Sequence, residues 1–184
     1  MLYAFSTMPF NRVDMKHKYS LPIIVCMAIL LLDQWTKNMV VQALPLYRRV
    51  PLIQGFFNLT HVRNTGGAFG IFGGERGGLG SILFVVVSLI AIGAIVFLFF
   101  KIKENEKTLA FSFSLILSGA VGNLIDRLRY GEVVDFLDFY LSSYHWPAFN
   151  VADSAICVGI GLMALEFLKG DRKRSTKSQA PNPK

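Results

Sequence analysis

The chain has 184 residues, 53% of them hydrophobic, and carries 19 Lys and Arg against 12 Asp and Glu for a net charge of +7. A mean hydropathy of +0.46 is high for a soluble domain and places the chain in the membrane class. The two Cys residues fall in apolar stretches without a CxxC or a Cys/His cluster, which argues against a disulfide framework or a thiolate metal site.

Residues 1–19 read as a polar tail. The first predicted span covers about 20–44: Leu21–Leu32 is uninterrupted, Asp33-Gln-Trp-Thr-Lys37 breaks it, and Met39-Val-Val resumes it. Basic residues before a short apolar run suggest a cleaved signal peptide. No small-x-small cleavage site follows, so the span is expected to be retained. Residues 45–78 form a long connection with Pro45, Pro51 and a partly alternating stretch, Leu52–Val62, that predicts short β-structure. Its glycine-rich end contains Gly73-Gly-Glu-Arg-Gly-Gly78, expected to be a flexible turn or hinged lid. It lacks the Gly-Lys-Ser/Thr of a nucleotide-binding loop.

Leu79–Phe100 is the clearest span and has no charge. The third, about 108–126, carries Ala110, Ser114, Ser118, Gly122 and Asp126 at intervals of four, one helix face. Small residues let helices approach closely in lipid, so this stripe predicts a packing seam leading to Asp126. Arg127–Phe149 reads as a short acidic connection. The fourth span, about 151–168, has Asp153 near its start, and residues 169–184 read as a basic, disordered tail.

Twelve of the 19 basic residues lie in the two tails and the Lys101–Lys107 loop. The bias of Lys and Arg toward cytoplasmic loops then predicts both termini inside. The basic tails suit a membrane surface, with no pattern for nucleic-acid binding. The expected architecture is an all-α membrane protein: one four-helix bundle with a small, partly β extracytoplasmic segment between helices 1 and 2.

At about 1.5 Å of rise per residue, Asp33, Asp126 and Asp153 stand about 22, 28 and 24 Å from the basic residues at the inner ends of their spans. In a hydrocarbon core about 30 Å thick, all three reach the outer third. Asp135 follows Asp126 by nine residues and lies near them. Ionisable groups at membrane depth are costly and mark functional sites. The bland readings are a local Asp33–Lys37 pair, an Asp126–Arg127 pair, and capping or turn roles for Asn residues.

The blocks Leu32-Asp-Gln-Trp-Thr-Lys37, Arg63-Asn-Thr-Gly-Gly-Ala-Phe69, Gly119-Ala-Val-Gly-Asn-Leu-Ile-Asp-Arg127, Gly131-Glu-Val-Val-Asp-Phe136 and Phe149-Asn-Val-Ala-Asp153 occur in order across the four spans. Together they closely resemble the lipoprotein signal peptidase (signal peptidase II) family over about residues 20–168. Gly67 departs from the Ala or other small residue expected there. The resemblance implies a membrane aspartyl protease that cuts bacterial prolipoproteins just before a diacylglyceryl-modified cysteine. It implies Asp135 and Asp153 as the catalytic pair. Asp33, Lys37, Asn64, Gly66, Asn123, Asp126, Arg127 and Asn150 match supporting positions. Expected partners are the lipidated substrates and the bilayer, with no nucleic acid or nucleotide, and the protein is expected to act as a monomer. Neither metal nor organic cofactor is called for.

Two close carboxylates can share one proton and divide base and acid work between them. Asn150 stands where an N-cap belongs, which puts Asp153 in the first helical turn, where the dipole favours negative charge. Asp153 is therefore expected to be ionised and Asp135 protonated at rest. The competing readings are a proton-coupled small membrane transporter and a structural subunit. A transporter predicts polar groups reaching both membrane faces and some repeat symmetry.

Overall fold

The computed structural model describes residues 12–66 and 79–178, and side chains within 20–66 and 79–169. Its elements run α1 Arg12–Ala43, β1 Arg49–Ile53, β2 Phe57–Asn64, α2 Leu79–Lys101, α3 Lys107–Tyr130, β3 Val133–Leu141, β4 Tyr144–His145 and α4 Val151–Ser178. All four helices contain stretches long and apolar enough to cross a membrane. The expected hinge, residues 73–78, lies outside the described residues, as do Gly67 and the stretch before Arg12. Three helices outrun their expected limits, α3 by running on to Tyr130 through residues read as connection. Helix α1 begins within the stretch read as a polar tail, and α4 continues to Ser178 through residues read as disordered. Lys and Arg are good helix formers, so the run Arg172-Lys-Arg can extend a helix that the preceding turns have nucleated.

Helix α3 is the centre of the bundle and packs against α1, α2 and α4. The reason is in its small-residue stripe. Ala110, Ser114, Ser118 and Gly122 are buried, with Asp126 at the end. The buried hydroxyls need no outside partner: Ser114 donates to the Ala110 carbonyl at 2.8 Å, and Ser118 to that of Leu115 at 2.9 Å. Glycines set the helix spacing. A Cβ on Gly119 would collide with the Ala152 carbonyl of α4, and one on Gly159 of α4 would come within 2.8 Å of the Ser112 carbonyl. By contrast, the most apolar stretch of α2 has no buried residue and presents its side chains outward.

Gly131, in the left-handed conformation at φ 73°, ends α3 and donates its N–H to the Arg127 carbonyl at 2.9 Å. The chain then enters β3. The four strands form one antiparallel order, β1-β2-β3-β4. β1 and β2 lie between α1 and α2, as the alternating stretch predicted. The acidic connection after α3 corrects the expectation, since it supplies the other two strands. Pairing of β2 with β3 sets Val62 opposite Asp135 and Asn64 opposite Val133. The sheet therefore joins the described parts of the two connections at the ends of α1, α3 and α4.

Candidate active site

Two elements bring the central carboxylates together. Asp135 sits on β3 and is buried. Asp153 occupies the first turn of α4. Asn150 joins them: its Nδ2 donates to Asp135 Oδ1 at 2.8 Å, and its backbone N–H donates to Asp153 Oδ2 at 3.2 Å. In return, Asn150 Oδ1 accepts the Asp153 N–H at 2.9 Å. This reciprocal pair is a capping box with a carboxylate at the third helical position. The local rule that starts α4 thus also aims Asp153.

The other oxygens have their own donors. Asn64 Nδ2 donates to Asp135 Oδ2 at 3.1 Å, while Asn64 Oδ1 accepts the Gly66 N–H at 3.0 Å, which fixes the orientation of the amide. Asn123 Nδ2 donates to Asp153 Oδ1 at 2.7 Å. Burial, and then the charge of Asp153, push the Asp135 carboxyl up to about 7 against the opposing pull of Asn64, Asn150 and Lys37.

A second layer lies behind this pair. Lys37 Nζ is buried and reaches Asp33 Oδ2 at 2.9 Å, Asp126 Oδ2 at 3.0 Å and Asn123 Oδ1 at 2.9 Å. Its three donors are used, as a buried ammonium requires. The i,i+4 pair of Asp33 and Lys37 is real but is only part of a triad that includes Asp126. Asp33 Oδ1 accepts the Ala152 N–H at 2.9 Å and so caps α4 from another helix. Asp126 Oδ2 accepts the Val134 N–H at 3.1 Å, which moors β3 to α3 beside Asp135. Asn123 links the layers, since Asn150 Nδ2 also donates to its Oδ1 at 3.1 Å.

A cavity of about 470 Å³ opens onto the pair. Its polar wall is Asn64, Gly66, Asn123, Arg127, Asp135, Asp153 and Ser154. Its apolar wall is Val133, Trp146 to Phe149, Ile156 and Cys157. Arg127 rests its guanidinium over the Phe84 ring of α2 at 5.3 Å and donates to the Asn123 carbonyl at 3.4 Å. Every residue singled out from the sequence falls in this region: Asp135, Asp153, Asn64, Gly66, Asn123 and Arg127 at the cavity, and Asn150, Asp33, Lys37 and Asp126 behind it.

Sequence reasoning missed Gln34, whose Nε2 donates to Asp33 Oδ2, the Gly122 carbonyl and Asp126 Oδ1 at 3.1–3.2 Å. Its place inside the Asp33–Lys37 block was the available signal. The cavity wall at Trp146–Ala148 was also missed, because strand pairing brings it there. Chemically, the arrangement offers two carboxylates, one with its pKa near neutrality, beside an apolar groove and a set of neutral amide donors.

Residues 25–169 match the family model described as signal peptidase (SPase) II. The chain is 47% identical over 164 residues to a lipoprotein signal peptidase of Geobacter metallireducens, covering 88% of this chain and 98% of the relative. It is 44% identical over 161 residues to that of Geobacter sulfurreducens, covering 88% and 99%. A solved bacterial membrane enzyme, obtained by the in meso method, superposes with a TM-score of 0.75 at 30% identity, covering 89% of this chain and 94% of that one.

Proposed function

The chain belongs to the signal peptidase II family, and from that premise we propose that it is an aspartyl endopeptidase removing signal peptides from diacylglyceryl-modified prolipoproteins, with Asp135 and Asp153 as its dyad. The observation that carries this reading is the pair of carboxylates bridged by Asn150 at the head of a largely apolar cavity. That cavity suits a substrate that is part peptide, part lipid. The cut falls just before the lipidated cysteine.

Hydrolysis runs between the two acids. A water held at the dyad gives a proton to the Asp153 carboxylate as its oxygen bonds to the scissile carbonyl carbon. Asp135, whose pKa burial raises to about 7, gives its proton to the carbonyl oxygen when protonated. When the tetrahedral intermediate collapses, that oxygen's proton returns to Asp135, the C–N bond breaks, and the proton on Asp153 passes to the leaving amine. Asn64, Asn123 and Asn150 hold the two acids, and Arg127 stands in the cavity to orient the peptide.

The site faces the outer surface of a bacterial cytoplasmic membrane, with both termini in the cytoplasm, and the protein works as a monomer. The asymmetric distribution of Lys and Arg supports this orientation. The test uses purified protein in detergent and a diacylglyceryl-modified prolipoprotein, comparing wild type with Asp135→Asn and Asp153→Asn. Cleavage by wild type before the modified cysteine is expected, with a loss of at least about 10³-fold in each folded variant, on the scale of other catalytic pairs. Cleavage surviving either substitution would reject the dyad.

A further inference from the structure

A further buried carboxylate, Asp138, belongs neither to the cavity nor to the layer behind it. It sits on β3, and one side chain from each of the other three strands converges on it. Asn58 Nδ2 of β2 donates to Oδ2 at 2.9 Å, His145 Nδ1 of β4 lies 2.8 Å from Oδ1, and Arg49 Nε of β1 stands 3.7 Å from Oδ2. The His145 ring stacks on Tyr140, with centroids 4.9 Å apart and planes at 10°. The Tyr140 hydroxyl in turn accepts the Gly55 N–H of the β1–β2 turn at 2.8 Å.

Residues 146–149, immediately after His145, form part of the apolar wall of the cavity, and Asn150 follows them. Their backbone is tied to β3 at both ends. Trp146 donates its N–H to the Phe139 carbonyl at 2.8 Å, and Phe149 and Leu137 exchange N–H bonds at 3.1 and 2.8 Å. Asp138 lies between those two anchor points. β4 itself is only two residues long, so it adds few ladder bonds at this edge. A hydrogen bond to a buried carboxylate is of the stronger kind. Arg49 is largely exposed and too distant to replace it.

We propose that His145 is a positioning residue for substrate capture: its bond to Asp138 clasps β4 to the sheet and sets the cavity wall at Trp146–Phe149. This rests on the peptidase reading above. The dyad itself is held separately, by Asn150 through Asn123 and the α4 cap. The clasp therefore acts on binding and leaves the chemical step alone.

The experiment measures kcat and KM on a diacylglyceryl-modified prolipoprotein peptide. His145→Phe keeps a ring to stack on Tyr140 but has no donor. It should raise KM about tenfold and leave kcat within about twofold. His145→Asn, whose amide nitrogen stands near the place of Nδ1, should restore KM to within about twofold. An unchanged KM in His145→Phe overturns the proposal. So does a fall in kcat alone, the mark of lost folded protein, or equal damage in His145→Asn. Amide exchange adds a readout free of activity and does not need the Phe variant to fold. In His145→Gln, whose longer amide overshoots, exchange across 145–149 should quicken at least tenfold while that of α3 stays unchanged. Unchanged exchange at 145–149 rejects the clasp. A wild type that does not cut would instead reject the peptidase reading, with exchange still deciding whether the clasp exists.

Discussion

Asn150 serves the site through both its side chain and its backbone. Its Oδ1 caps α4, its Nδ2 holds Asp135, and its backbone N–H holds Asp153. These duties separate by substitution. Asn150→Asp keeps an oxygen for the Asp153 N–H, so the cap survives, but it replaces the donor facing Asp135 with a third carboxylate. The expected result is turnover lowered by about 10²-fold or more, as when a preorganised donor is removed, with a lower Tm from the buried third carboxylate. Asn150→Ala loses the cap as well and should cost about 1 kcal/mol of stability besides. Thermal melts and kinetics on both variants decide the point. The pH profile follows from the same residues. In the proposed mechanism Asp135 must be protonated to act as the acid, and burial raises its pKa to about 7. Its working form is therefore full below that value and is lost as pH rises through it. kcat/KM, which reports the free enzyme, should show a descending limb near 7, belonging to the pair as a coupled unit. A kcat/KM that stays flat from pH 6 to 9 would count against Asp135 as the acid.

Between elements, the seam of α3 is where stability and geometry meet. A Cβ on Gly122 would stand 2.6 Å from Asp33 Oδ2, and one on Gly119 would press into the Ala152 carbonyl, beside Asp153. Gly119→Ala and Gly122→Ala should each destabilise by about 1–3 kcal/mol through overpacking. Gly93→Ala and Gly161→Ala meet nothing within 4 Å and should not. Melting temperatures in one detergent check the contrast. The seam was readable in advance, because spacing by four survives in any helix. So was the N-cap of α4, which depends on neighbours in sequence. The strand Val133–Leu141 was not. In VVDFLDFYL the carboxylates at 135 and 138 fall three apart and break the two-residue alternation that marks a strand. Asp138 and His145 were opaque for the same reason: register, set by pairing, makes them partners. Lys37 appeared as half of an ion pair because its second acid, Asp126, lies on another helix.

At the scale of the whole molecule, the question is which side of the membrane the site faces. The sheet and the carboxylates lie at one end of the bundle, and the Ile102–Glu106 connection between α2 and α3 lies at the other. The family match favours a peptidase over the transporter alternative, and polar side chains gathered at one end suit a single reaction surface better than a path through the bilayer. Basic residues flank the end opposite the site, so the site should face outward. Single cysteines test this in a background without Cys26 and Cys157. Ser142 is exposed in the β3–β4 turn, and Glu104 is exposed in the loop between α2 and α3. On intact spheroplasts, a membrane-impermeant maleimide should label Ser142→Cys to near completion and label Glu104→Cys only after lysis. The reverse pattern would put the dyad on the cytoplasmic side, where a substrate lipidated at the outer interface could not meet it. Labelling of both before lysis would mean that the four spans do not all cross. Only the first pattern lets a signal helix lie in the bilayer beside α2 and α4 while its cysteine reaches Asp135 and Asp153 at the surface, with no need to leave the lipid.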